Sequence, residues 1–226
     1  MLEFDGPVLL VGGGRIDQSQ LVRYGASLPL VAADSGADAA RSSGFEPVAV
    51  IGDMDSISSA TAYPASNIIH APDQNSTDFD KTMAAVSAPL IIGLGFLGRR
   101  LDHTLAAVNT LAKHYPRPII LLDRYDAVMF SRGDVSIGLS RGERFSIWPL
   151  EDQAFRGSEG LEWPLDGLAM RPGGQIGTSN RVVAADGCVA VKADAGSGYL
   201  IMLESRSMLA LVDAIAPQCR DQLALP

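Results

Sequence analysis

The stretch Val48-Ala-Val-Ile-Gly-Asp-Met-Asp-Ser56 sets the fold of this chain. Residues 48–51 are an unbroken apolar run, the pattern of a parallel strand covered on both faces. Gly52 breaks the run, and two carboxylates follow, Asp53 and Asp55. In open α/β sheets, ligands bind beyond the carboxyl ends of such strands. Two acids there, after a glycine that lets a ligand approach, point to a divalent cation holding phosphate oxygens. The competing reading is a polar loop in which Asp55 or Ser56 caps the next helix. If the turn is strand-like, alternation puts Asp53 and Asp55 on one side and Met54 on the other, towards the core.

Upstream, 7–11 reads as a strand ending in Gly12-Gly13-Gly14, a turn that phosphate or sugar can approach closely. It lacks the full dinucleotide spacing. Residues 17–24 read as a helix capped by Asp17, 28–33 as a strand leading to Asp34-Ser35-Gly36, and 37–43 as a short helix stopped by Gly44. Downstream, 56–62 reads as a short helix and 67–70 as a strand. Pro72-Asp-Gln-Asn-Ser-Thr-Asp-Phe-Asp-Lys81 then opens a helix near Ser76 or Thr77, its acid-rich first turn suited to the positive helix end. Asp78 and Lys81, three apart, share a helical face. A strand over 89–93, the segment Gly93-Leu-Gly-Phe-Leu-Gly-Arg-Arg-Leu-Asp-His103, a helix over 103–114 and a strand over 117–122 complete the series. This alternation predicts an α/β fold with a doubly wound, mostly parallel, Rossmann-like sheet. Asp34, Asp53, Asp55, Asp73, Gln74, Asp78, Arg100 and Asp102 all follow strand ends. In a parallel sheet those ends share one edge, so these residues converge.

From residue 126 the pattern changes to short strands, at 127–130, 135–139, 143–150, 161–170, 182–185, 189–193 and 199–204, with Asp186-Gly187 as a hairpin turn. This predicts a smaller all-β sandwich domain over 126–226, after an α/β domain over 1–125. Residues 206–215 fit strand or helix. Gly173-Gly-Gln-Ile-Gly-Thr-Ser-Asn180 reads as a loop between strands that ends in two hydrogen-bonding side chains. Trp148 and Trp163 read as core or interface residues, though either could stack on an aromatic ligand.

The chain has 226 residues, is 47% hydrophobic, and carries a net charge of −8 at pH 7. With no basic run, nucleic acid and anionic membrane are not expected partners. A polyanion such as ATP would need a metal to carry the charge. Cys188 and Cys219 form neither a metal spacing nor a disulfide framework, which fits a cytoplasmic protein. His70, His103 and His114 are too scattered for zinc. Glu3 and Asp5 argue against a signal peptide, and no apolar run approaches the ~20 residues of a membrane span.

As a set, the motifs resemble the thiamine pyrophosphokinase family across nearly the whole chain. They are Ala33-Asp34-Ser35-Gly36-Ala37, Ile51-Gly-Asp-Met-Asp-Ser-Ile57, Asp73-Gln-Asn-Ser-Thr-Asp-Phe-Asp-Lys81, Gly98-Arg-Arg-Leu-Asp-His-Thr104 and Gly177-Thr-Ser-Asn180. Each is short; their order and spacing together are specific. The family usually has glycine where Ser35 stands, phenylalanine where Met54 stands, and a second glycine where Arg99 stands. Its aromatic platform for thiamine does not align clearly, with Tyr199 the weak candidate.

The resemblance implies Mg²⁺-dependent transfer of a pyrophosphoryl group from ATP to the thiamine hydroxyl, leaving AMP. It implies that Asp53, Asp55 and Asp78 hold the metal and its phosphates, with Asp34 on metal waters or nucleotide. Lys81 and Arg100 would meet phosphate, Thr77 would hydrogen-bond the triphosphate, and Asp102 would orient nucleotide or alcohol. Gln74, Ser179 and Asn180 would meet thiamine. Family members are homodimers, with thiamine bound where one subunit's sheet domain meets the other's β domain. The rivals are a pyrophosphokinase of another alcohol, such as a hydroxymethylpterin, and a nucleotide-binding sensor without chemistry.

Overall fold

In the first half of the chain, runs of four buried apolar residues make the strands, and glycine or aspartate ends them. The computed structural model describes residues 1–73, 75–196 and 198–223. It divides into two compact units, Met1–Arg124 with the described residues from Asp221 on, and Tyr125–Arg220.

The first unit contains β1 (Leu2–Glu3), β2 (Val8–Val11), α1 (Gln18–Gly25), β3 (Leu30–Ala33), α2 (Gly36–Ser42), β4 (Ala49–Gly52), β5 (Ile68–His70), α3 (Asp78–Ala85), β6 (Val86–Ser87), β7 (Ile91–Leu94), α4 (Leu101–Lys113) and β8 (Ile119–Leu122). The main sheet runs β8-β7-β2-β3-β4-β5, and every pair is parallel. β2, β3, β4, β7 and β8 are buried at every position, as strands covered on both faces should be. The chain winds one way from β2 to β5, then returns to β7 and β8 on the other side of β2. The strand order therefore reverses between β2 and β7, the kind of switch point beyond which open α/β sheets bind ligands. Helix starts follow the expected chemistry. Asp17 caps α1 by accepting from the N–H groups of Ser19 and Gln20, and Thr77 caps α3 by accepting from Asp80 N–H. The helix expected over 56–62 is only a 3₁₀ turn, Ala60–Ala62.

The second unit contains β9 (Asp126–Ser131), β10 (Val135–Gly138), β11 (Arg144–Pro149), β12 (Gln153–Glu159), β13 (Ala169–Met170), β14 (Gly177–Arg181), β15 (Cys188–Ala193), β16 (Tyr199–Glu204) and α5 (Met208–Ile215). Its strands form two antiparallel arrays, β14-β11-β16-β9 and β10-β15-β12-β13. Phe155 of one array meets Tyr199 of the other edge-on, with ring centroids 5.2 Å apart. Tyr199, the weak candidate for a thiamine platform, is fully buried, and its hydroxyl donates to Gly133 O at 2.8 Å; it is a core residue.

Several readings of this half are corrected, among them the strand over 182–185, where Val182 makes only an isolated bridge to Leu161. The strand over 153–159 went unread. Most of 161–170 is not strand. The glycine-rich segment read as a loop supplies β14, paired with β11. Residues 206–215, left open, are largely the helix α5.

Candidate active site

Register alone brings the first acids together. β3 and β4 pair with Ala33 beside Ile51, and Asp34 N–H extends the ladder by donating to Ile51 O at 2.9 Å. Asp34 therefore lies beside Gly52, at the root of the Asp53-Met54-Asp55 turn. A Cβ on Gly52 would sit 2.9 Å from the Asp34 Cβ, so only glycine lets the two loops approach. The turn is not strand-like: Met54 has φ +68. That left-handed residue, rather than strand alternation, turns Asp55 back beside Asp53. Carboxylate oxygens of Asp34, Asp53 and Asp55 lie within 4.8 Å of one another.

Lys81 is buried on α3, and its ammonium bridges two acids, 3.1 Å from Asp53 Oδ2 and 3.1 Å from Asp78 Oδ1. The bond from Lys81 holds the Asp53 carboxyl down to about 2. Burial opposes the Lys81 charge, but the bonds from Asp78 and Asp53 outweigh it and raise its pKa. Burial, and then the charge of Asp78, push Asp34 up. Asp34 Oδ1 is buried without a hydrogen-bond partner among the described residues. An unsatisfied buried carboxylate oxygen is costly unless something binds it. Hard oxygen donors with one oxygen left open suit Mg²⁺.

These groups line a cavity of about 570 Å³ at the carboxyl edge of the parallel sheet. Its floor is the switch point, where the Gly12-Gly13-Gly14 turn after β2 meets the Gly95 turn after β7. Gly14 N–H donates to Gly95 O at 2.9 Å, and a Cβ on Gly14 would stand 2.4 Å from that oxygen. Asp34, Asp53, Asp55, Thr77, Asp78, Lys81 and Arg100 all reach this cavity; Asp102 is not on its wall. Asp102 instead forks onto Arg100, Nε to Oδ1 at 3.1 Å and Nη2 to Oδ2 at 2.6 Å, with both side chains exposed. Arg99, His103 and Phe96 also line the cavity and went unassigned from the sequence. Phe96 packs on Phe79 of α3, ring centroids 4.3 Å apart.

Asp34 joins Asp53 and Asp55 in the group whose carboxylate oxygens lie close together, while Asp78, on the same cavity wall, bonds Lys81 through Oδ1. Adjacency of β3 and β4 was the signal that could have placed Asp34. Thr77 spends a lone pair on capping α3 and keeps its proton for donation. Gln74 lies outside the described residues.

Ser179 and Asn180 belong to β14 of the second unit. Ser179 has φ +60, and its N–H donates to Ser146 Oγ at 3.0 Å. Asn180, expected to meet thiamine, is buried, and its side-chain amide is hydrogen-bonded within the unit. Asn180 Oδ1 accepts from Trp163 N–H at 3.1 Å, and Nδ2 donates to Trp163 O at 2.7 Å. This clamp fixes the backbone beneath an indole that is 54% exposed. Fixed and exposed, Trp163 is a surface on which an aromatic ring could stack.

A wound parallel sheet with an acid-lined cleft at its switch point, glycine turns on its floor and a buried lysine has the features of a nucleotide-dependent phosphotransferase. The profile of the thiamin pyrophosphokinase catalytic domain matches residues 25–121, and that of the thiamin pyrophosphokinase vitamin B1 binding domain matches 136–197. The chain is 27% identical over 175 residues to thiamin pyrophosphokinase 1 of Caenorhabditis elegans, covering 70% of this chain and 71% of that one. It is 30% identical over 158 residues to thiamine pyrophosphokinase 2 of Arabidopsis thaliana, covering 61% and 59%. The solved structure of thiamin pyrophosphokinase from Candida albicans shares the fold, with a TM-score of 0.77 over 88% of this chain and 89% of that one at 18% identity. The chain belongs to the thiamine pyrophosphokinase family, and its activity is that of a thiamine diphosphokinase. Among the described residues, no helix is long and apolar enough to cross a membrane.

Proposed function

We propose that the protein transfers the pyrophosphoryl group of ATP to the hydroxyl of thiamine in a Mg²⁺-dependent reaction, releasing AMP. The observation that carries this reading is the Asp34–Asp53–Asp55 cluster with its unpartnered buried oxygen, beside a buried lysine in one cleft. Asp34, Asp53 and Asp55 would hold the ion, which when bound neutralises charge on the phosphate oxygens. Lys81 brings positive charge to the same edge and keeps Asp53 ionised. Thr77 donates its hydroxyl proton to a phosphate oxygen. Arg100 meets the phosphates by exchanging its exposed partner Asp102, a pair that costs little to open. Its fork of donors suits phosphate as well as carboxylate. The thiamine oxygen forms its bond to the β-phosphorus as the bond from that phosphorus to the α-phosphate oxygen breaks. The hydroxyl proton passes to an aspartate or to phosphate. Holding the alcohol in line is the larger part of catalysis here, since little covalent work falls to the protein.

In the second unit, Trp163 stacks on the aromatic ring of thiamine, Asn180 fixes Trp163, and the Ser179 hydroxyl hydrogen-bonds the ring. The working form is a homodimer in the cytoplasm, consistent with two unpaired cysteines. Mass spectrometry of products from ATP, Mg²⁺ and thiamine tests the reaction. Thiamine diphosphate and AMP are expected. ADP with thiamine monophosphate would overturn the pyrophosphoryl transfer, and product from a hydroxymethylpterin alone would overturn the acceptor.

A further inference from the structure

Among the cations on the cavity wall, Arg99 is held differently from the others. Lys81 is engaged by Asp53 and Asp78, and Arg100 by Asp102. Arg99 makes no ion pair among the described residues, although the cavity it lines is rich in carboxylates. Its one side-chain hydrogen bond among the described residues runs from Nη1 to Gly13 O at 3.2 Å. A guanidinium carries five donors, so most of its capacity stays unused.

The backbone at this position is strained. Arg100 N–H donates to Gly98 O at 2.9 Å, closing a three-residue turn centred on Arg99, whose φ is +62. Such γ-turns are rare, and an L-residue in left-handed geometry costs about 1–2 kcal/mol that glycine would not. Strain of this kind persists where surroundings over-determine it, and it concentrates at ligand clamps. The turn delivers the Arg99 side chain across the cavity floor, onto the Gly12-Gly13-Gly14 turn on the far side of the switch point.

We propose that Arg99 binds the phosphate chain of the nucleotide and sets the site's preference for a polyphosphate. Its guanidinium spans the two glycine turns and presents its remaining N–H groups to the anion. Arginine suits this task because its planar fork matches phosphate oxygens. The inference rests on the reading of the cavity as a nucleotide site.

Calorimetric titration of the full chain with Mg–ATP and with adenosine, for wild type, Arg99→Gly and Arg99→Lys, tests it. Arg99→Gly should weaken Mg–ATP by at least about tenfold, leave adenosine within about twofold, and melt no lower than wild type, since glycine fits the turn. Arg99→Lys, which keeps the charge and loses the fork, should fall between. Unchanged Mg–ATP affinity in Arg99→Gly overturns the proposal. An equal loss for adenosine also overturns it, leaving Arg99 a loop clamp. Wild-type protein that binds neither ligand overturns the nucleotide reading of the cavity, and this proposal with it.

Discussion

Among the described residues, Asp34, Met54, Arg99 and Ser179 are the non-glycine residues with positive φ, at 46, 68, 62 and 60 degrees. All four fall inside the motifs that mark the family. Each left-handed residue costs about 1–2 kcal/mol, so the cluster of strain coincides with the chemistry. Asp53 and Asp55 alone fit a helix cap as well as a metal site, and it is the acids of the neighbouring loops that favour the site. The place of Asp34 was not legible, because it depends on which strand lies beside β4. Asp34→Asn separates charge from backbone, since asparagine tolerates left-handed geometry. Mn²⁺ binding, measured by electron paramagnetic resonance, should weaken by about 10–100-fold in Asp34→Asn and clearly less in Asp78→Asn. The opposite order would return Asp78 to the metal. Asn180→Ala bears on the other ligand. Freed from its clamp, the Trp163 loop should raise the KM for thiamine several-fold and leave that for ATP nearly unchanged. A larger change for ATP would remove Trp163 from the acceptor site.

The acid-rich first turn of α3 shows how one element divides its work. Asp78 faces the cavity, whereas buried Asp80 turns to α4, where Lys113 and His114 Nε2 bond it, the latter at 2.6 Å. The sequence pairs Asp78 with Lys81 on one helical face but marks Asp80 only as a helix-start acid, because which neighbour an acid faces is decided by tertiary packing. Burial tends to raise the Asp80 pKa, but the bonds from Lys113 and His114 together bring it below the ordinary 3.8. A lowered carboxylate pKa stabilises the fold at pH above its unfolded value, and that contribution disappears as pH falls through the folded value. Thermal melts from pH 6 down to pH 2 should therefore show wild type losing an advantage over Asp80→Asn below about pH 4. Near neutrality the variant should be less stable by about 1–3 kcal/mol. A constant difference across that range would exclude the ionised Asp80 as its source. Packing also decided which strands could be read. β12 has buried positions filled by Gln153 and Gly157 as well as Phe155, and its pairing with β15 slips between Phe155 and Gly157. β14 buries Asn180 and carries a register shift against β11. Polar buried positions erase the alternation that marks a strand. At the switch point, Gly14→Ala should drive a Cβ into the Gly95 carbonyl, destabilise the unit by about 1–3 kcal/mol and weaken nucleotide binding. Unchanged melting would mean that the turns move apart freely.

At the scale of the molecule, the sequence changes from helices to short strands near residue 126, and the units divide between Arg124 and Tyr125. The return of the chain to the first unit from Asp221 was not legible, because nothing in a short apolar tail names its partner. The proposed reaction draws on residues of both units. Asp34, Asp53 and Asp55 belong to the first, and the Trp163–Asn180 clamp to the second. If a homodimer builds each site from the first unit of one copy and the second unit of the other, defects in different units can complement. Asp55→Asn should be nearly inactive alone, and Trp163→Ala strongly impaired. Co-refolded in equal amounts, half of the dimers are mixed, and each mixed dimer places both substitutions in one site and leaves the other intact. Turnover should then recover to about a quarter of wild type, on twofold dimer statistics. Recovery to that level, tracked by AMP release after size-exclusion separation of the dimer, would establish the shared site. No recovery in a mixture shown to contain mixed dimers would confine each active site to a single chain.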